Sequence, residues 1–253
     1  ATIGTSATSL GNNVFENCTL LTSYTLPSTI SSISQYAFNG CSSLTSVHLP
    51  NTITFINSFS FNGCSSLTSL IIPNSVTYIG NYAFALETSI VTVEMPITVL
   101  QGFTFFKCTS LTTITFVAGG PDTMTSIPNY MCKYCSALTS INIPDSITEI
   151  GTFAFEGCGF TSFTIPESVT QFGTGVFQSC ASLTSITIPA NFSSLGASTF
   201  SKCPSLATVT FANVNTSTIL SIPPQCFLEC FALSSINLPS SITSIEAEAF
   251  RST

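Results

Sequence analysis

Asn51 to Pro73 reads NTITFINSFSFNGCSSLTSLIIP, and the same 23-residue pattern stands on either side of it, as STISSISQYAFNGCSSLTSVHLP before and NSVTYIGNYAFALETSIVTVEMP after. Written as a template, the unit is apolar-x-x-apolar-x-x-x-small-Phe-x-x-Cys-x-x-Leu-x-x-apolar-x-apolar-Pro. A fixed period of this length is the mark of a solenoid, in which each unit buries its apolar face against its neighbours. Such an array is one continuous structure, so residues 1–253 are expected to form a single domain.

Aligned on the Cys position, the rungs fall at Cys18, Cys41, Cys64, Glu87, Cys108, Cys135, Cys158, Cys180, Cys203 and Cys230, ten in all, with a fragment after them. Each is followed by an apolar alternation such as Leu67-x-x-Leu70-x-Ile72, which predicts a short β-strand. Proline then ends the strand at Pro27, Pro50, Pro73, Pro96, Pro144, Pro166, Pro189 and Pro239, because it has no N–H for a ladder. Strands one repeat apart should stack in parallel at about 4.8 Å. Two rungs carry four extra residues where Pro is missing, after Phe116 and after Phe211, and insertions in a solenoid bulge from one face. Ala1 opens in mid-pattern and Thr253 stops just before the next Cys is due, so both ends read as cuts through a longer array.

Only 6% of residues are charged, and the net charge is -7. Exposed repeat positions are filled by Ser, Thr and Asn, so solubility rests on hydroxyls and amides. Four basic residues cannot make a cationic surface for phosphate backbones, which argues against nucleic acid. No run of about 18 apolar residues exists to insert in a membrane, and the repeat contains no cofactor motif.

The motif C-S-S-L-T-S-x-x-I/L-P-N/S-S/T-I/V-T-x-I-G-x-x-A-F-x-G resembles the BspA-like, treponemal-type leucine-rich repeats of bacteria and protozoa, and essentially the whole chain is covered. The resemblance implies a right-handed, curved leucine-rich-repeat solenoid with a parallel β-sheet on the concave face and a mostly irregular or short-turn convex face. It also implies an extracellular or cell-surface adhesion protein with no catalytic residues to carry over. The partner so implied is a protein or glycan ligand on another cell or on matrix, with self-association as a further option. The alternative is an architectural stalk or spacer with no ligand of its own.

The cysteines recur at one repeating position, so they read as a ladder of buried, reduced thiols rather than disulfides. Cys132-x-x-Cys135 and the Cys226, Cys230 pair have metal-like spacing, but Cys135 and Cys230 stand four rungs apart, roughly 20 Å by strand spacing. Asp145 and Glu167 both follow a strand-ending Pro and form an acidic edge. His48 is the only histidine, and the repeat places no carboxylate beside it to orient a catalytic base. It lies on the outward strand position, which otherwise reads as Thr and Asn; His48, Ile71 and Glu94 break that track on three consecutive rungs and make a candidate ligand footprint.

A second irregularity lies two residues before the core Phe. Tyr36, Phe59, Tyr82, Phe103, Tyr130 and Phe153 form an aromatic strip on six successive rungs, which stops at Gly175. Either the rings shield the core by stacking on one another, or the strip is a docking surface. Rung register predicts ion pairs Lys133–Glu156 and Lys202–Glu229, with Lys107 near Glu87 as a weaker third. Asn17, Asn191 and Asn215 head sequons for N-glycosylation.

Overall fold

The structure is a computed structural model that describes residues 7–119, 124–212, 214–215 and 218–253. Contacts group the chain into two compact units, one of residues 1–124 with 134–142 and the other of residues 125–133 with 143–253. Each is a parallel β-solenoid, and no helix occurs among the described residues.

In the first unit the strands after each Leu position form two sheets. Ser23–Thr25 pairs with Ser46–His48, and Ser69–Ile71, Thr92–Pro96, Thr113–Val117 and Ser140–Ile141 make a second ladder with Leu70, Val93, Ile114 and Ile141 in one file. The second unit repeats this with Ser162–Thr164, Ser185–Ile188, Thr208–Phe211 and Ser235–Ile236. Alternation puts Leu, Ile, Val and Phe inward and Ser or Thr outward, as the eBeB burial of Thr208–Phe211 shows.

The return segment is more regular than expected. Two-residue strands Ser32–Ile33, Phe55–Ile56, Tyr78–Ile79 and Val99–Leu100 form a second parallel sheet in the first unit. Ser126–Ile127, Glu149–Ile150 and Gln171–Phe172 do the same in the second. Two residues are too few for alternation to be legible. Between the two sheets the proline starts a turn, its carbonyl accepting the N–H three residues on, as in Ile53 to Pro50 at 3.0 Å and Val76 to Pro73 at 3.0 Å.

The turn before the Cys position makes a third ladder. Tyr36, Phe38 and Gly40 donate their N–H groups to the carbonyls of Ser58, Ser60 and Asn62 in the next rung, at 3.3, 2.7 and 2.8 Å. The residues between them bond backward within their own rung, Asn39 to Tyr36 at 3.2 Å and Cys41 to Phe38 at 3.1 Å. This alternation needs left-handed backbone at its two ends, and Tyr36 and Gly40 have φ of 57° and 71°. The same pair of left-handed positions recurs in every rung, down to Glu248 and Ser252.

Thiols line the inside of this turn. Among the described residues eight of them donate to a carbonyl of the rung before, including Cys64 to Phe38 at 3.2 Å, Cys135 to Phe105 at 3.0 Å and, in the second unit, Cys203 to Phe177 at 3.1 Å. None of the eleven cysteines is in a disulfide, and ten are buried. Burial pushes the Cys41 and Cys230 thiols up to about 11. Cys18 departs from the expected ladder: it is exposed, and among the described residues no carbonyl of an earlier rung covers it.

Glu87 occupies the thiol column. It is fully buried, one carboxyl oxygen accepts the Cys64 N–H at 2.8 Å, and the other has no hydrogen-bond partner among the described residues. Desolvation drives its carboxyl well above the usual carboxylate range, only partly offset by the Cys64 N–H. Lys107 makes no ion pair with it among the described residues; the ammonium lies 5.3 Å from the Phe106 ring centroid instead. The predicted Lys133–Glu156 pair forms at 2.7 Å. Lys202 and Glu229 make no ion pair among the described residues, and Arg251 pairs with Glu248 at 2.9 Å.

Two outcomes follow. A bulky thiol reagent should label Cys18 alone in the native protein and all eleven thiols after denaturation, read by intact mass; labelling of the buried ten under native conditions would contradict the ladder. Glu87 should make stability fall as pH rises. Below about 4.5 the carboxyl is neutral folded and unfolded. Above that the unfolded chain ionises first and binds fewer protons than the folded one, so stability drops by about 1.4 kcal/mol per pH unit until the folded state also ionises. In urea melts at pH 5 and pH 8, Glu87→Gln should therefore gain on the wild type as pH increases. A constant gap would mean that the buried carboxyl does not titrate in this window.

Candidate functional site

Two surfaces carry the predicted binding residues. On the strand face of the first unit, His48 and Ile71 are exposed, Ile71 at 73%. Ile71 is the register partner of Glu94, and Glu94 is the partner of Thr115, so these three side chains stand in one file on laddered strands. His48 partners Thr25, and the ladder is interrupted between Ser46–His48 and Ser69–Ile71. The histidine therefore belongs to the neighbouring pair of strands, not to the ladder that carries Ile71 and Glu94.

Ile71 and Glu94 line a surface concavity of ≈ 300 Å³ with Ser69, Leu70, Thr92, Val93, Thr113 and Thr115. Leu70 and Val93 are buried and form its apolar floor, while four hydroxyls share the lining with the Glu94 carboxylate. This volume sits at the small end of ligand sites. It has room for one or two side chains of a larger partner. The lining hydroxyls of Ser69, Thr92 and Thr113 are invisible as a site in sequence, because Ser or Thr fills that position in every rung.

The aromatic strip lies at the first left-handed position of the turn, φ running from 53° at Phe153 to 60° at Phe103 and Tyr130. All six rings are half-buried. In the first unit Tyr36, Phe59, Tyr82 and Phe103 stack face to face at 5.0, 4.8 and 4.4 Å between centroids, with planes 16°, 9° and 10° apart. Their faces are covered by one another and their edges face solvent. Phe106 adds an edge contact to Tyr82 and Phe103, and Tyr134 joins it at 6.2 Å, an extension of the strip that register alone did not reveal.

In the second unit Tyr130 and Phe153 stack at 5.5 Å, and Lys133 lies 5.5 and 4.9 Å from their centroids while pairing with Glu156. The strip ends at Gly175 for a steric reason: a Cβ there would meet the Phe153 ring. Another file, Phe55, Tyr78 and Val99, points outward from the second sheet of the first unit, with Phe55 48% exposed.

Asp145 and Glu167 are exposed, and among the described residues no group of three or more His, Cys, Asp or Glu is placed to hold a metal ion. Among the described residues no helix is long and apolar enough to cross a membrane. Asn17, Asn191 and Asn215 are exposed. Of the two insertions, residues 120–123, 213, 216 and 217 lie outside the described residues.

Residues 8–122 and 125–253 match the BspA type leucine rich repeat region. The chain belongs to this family. BspA-type repeats account for the Cys, Leu and Pro columns seen in both units. Among solved structures, a leucine-rich repeat protein from Bacteroides ovatus ATCC 8483 is 29% identical, with a TM-score of 0.78 over 96% of this chain and 67% of its own. A leucine rich cell surface protein from Faecalibacterium prausnitzii A2-165 is 25% identical, with a TM-score of 0.58 over 95% of this chain and 79% of its own. A leucine-rich repeat protein from Eubacterium ventriosum ATCC 27560 is alike in fold, at 22% identity and a TM-score of 0.60 over 97% of this chain and 80% of its own. No curated protein matches the chain.

The stacked geometry makes the aromatic strip a packing element first. Replacing Tyr82 and Phe103 together by Ser should lower unfolding free energy by about 3 kcal/mol, since burial and ring pairing are both lost. Thermal or urea melts check this; a midpoint near wild type would mean that the rings add little to folding and that the strip is free for a partner.

Proposed function

We propose that this chain is a non-enzymatic, cell-surface module of BspA-type repeats that binds a macromolecular partner, in adhesion to host or microbial surfaces, through the strand face of its first unit. The observation that carries the reading is the concavity at Ile71 and Glu94, where an exposed aliphatic and a carboxylate interrupt a hydroxyl-lined face. Exposed apolar surface next to polar groups is the composition of protein contact sites. Surface location draws support from the Faecalibacterium relative, described as a leucine rich cell surface protein. The aromatic strip is read as structural, its ring edges offering at most a secondary contact or a self-association surface.

A spacer function suits the second unit. Its strand face runs Ser162, Ser185, Thr208 and Ser235 in one file and Thr164, Thr187 and Thr210 in the next, all exposed hydroxyls with no charge or large apolar side chain among them.

The two readings part in an array of matrix proteins and glycans probed with wild type, Ile71→Thr with Glu94→Thr, and Thr187→Ala with Thr210→Ala. Adhesion by the first unit requires that the first double variant lose its hits by about tenfold or more, roughly 1.4 kcal/mol, while the second keeps them. Hits unaffected by either variant would remove the strand face from the proposal and leave the spacer.

A further inference from the structure

We propose that the Ile71–Glu94 concavity takes a cationic segment of a partner protein, with a Lys or Arg side chain on Glu94 and an apolar side chain two residues away on Ile71. The inference rests on the strand-face reading above and deepens it by naming the ligand.

Charge points to a cation. Among the six strands of this face, Ser23–Thr25, Ser46–His48, Ser69–Ile71, Thr92–Pro96, Thr113–Val117 and Ser140–Ile141, Glu94 is the one acidic residue and no Lys or Arg is present. Glu94 forms no ion pair among the described residues. Three of the four basic side chains are engaged elsewhere: Lys133 on Glu156, Arg251 on Glu248 and Lys107 over Phe106. A chain of net charge -7 repels anionic ligands further, so sulfated or sialylated glycans and nucleic acid fit poorly.

Shape and polarity then separate a peptide from a neutral glycan. Sugar rings are held by the faces of aromatic side chains, and the ring faces of the aromatic strip, Tyr36 to Phe103, are spent on one another. The concavity has no aromatic lining; its features are the aliphatic Ile71, 73% exposed, and the hydroxyls of Ser69, Thr92, Thr113 and Thr115. Hydroxyls serve peptide carbonyl and N–H groups equally. Ile71 and Glu94 are one strand spacing apart, about 4.8 Å, whereas same-face side chains of an extended segment repeat at about 6.7 Å. A lysine or arginine stem is long and flexible enough to cover that difference.

The test uses the full chain and a synthetic peptide in which Lys and Leu recur two residues apart, separated by Ser, with control peptides carrying Glu for Lys or Ser for Leu. Titration calorimetry should show the Lys/Leu peptide binding wild type in a salt-dependent manner, about fivefold weaker to Glu94→Gln and to Ile71→Thr. Glu246→Gln, an exposed carboxylate of the second unit, should leave affinity unchanged and so controls for net charge. Equal losses for Glu94→Gln and Glu246→Gln, equal binding of the Glu peptide, or no binding by wild type would each overturn the assignment. The array above separates the two levels. Hits lost in the Ile71, Glu94 variant but confined to neutral or anionic ligands would sink the cationic partner and keep the strand face, whereas hits indifferent to that variant would sink the strand face itself.

Discussion

Everything in this fold depends on the hydrogen bonds that one turn makes to the turn of the next rung. Three alternate N–H groups, as at Tyr36, Phe38 and Gly40, point along the stack, and the chain holds them there with two left-handed residues per rung. For an L-residue with a side chain that conformation costs about 1 kcal/mol. The cost recurs at Tyr36, Phe59, Lys107 and Gln225, and it is offset by bonds that close only when a neighbouring rung is in place. Stability is therefore cooperative along each unit, since a rung on its own carries the strain without the bonds.

The same constraint places the two most unusual chemical features. Because the thiols line the inside of the turn, the buried Cys Sγ atoms of the column, such as Cys64 and Cys203, meet a carbonyl of the rung before, and burial keeps Cys41 and Cys230 protonated. Glu87 enters this column with a longer side chain and a second oxygen that finds no partner. Its rung is also the one in which the next Cys position arrives two residues early, at Cys108. Burial favours the neutral form of this acid, and that makes the first unit lose stability as pH rises above the usual carboxylate range.

Surface chemistry follows from stacking as well. The many Ser and Thr residues are not simply wetted. Thr45, Thr54 and Thr77 donate to carbonyls of Thr22, Ser31 and Thr54 in the rung before, at 3.0, 3.1 and 3.1 Å, and Thr184 and Ser193 do so in the second unit. A face built this way is uniform and nearly uncharged. Against it a single carboxylate beside a bare isoleucine is a large perturbation, and that contrast gives the Ile71–Glu94 concavity its specificity.

Period, strand positions, proline stops and the inward column of cysteines were all legible in the chain, because they repeat and because strand alternation and the missing proline N–H act locally. The break at His48, Ile71 and Glu94 was legible for the same reason: a departure shows only against a regular background. What the aromatic strip does was not. Tyr, Phe, Ser, Gln and Glu at one position give no hint of left-handed backbone, and whether rings six rungs long present faces or edges depends on the neighbouring rung. The second sheet was hidden by its two-residue strands, and neither the exposure of Cys18 nor, among the described residues, the missing Lys202–Glu229 pair alters the repeat pattern. The separation of His48 from Ile71 was hidden too, because an interrupted ladder leaves the repeat register unchanged. Sequence determined which residues share a column; only the packing of one rung on the next decided which of their surfaces remain open.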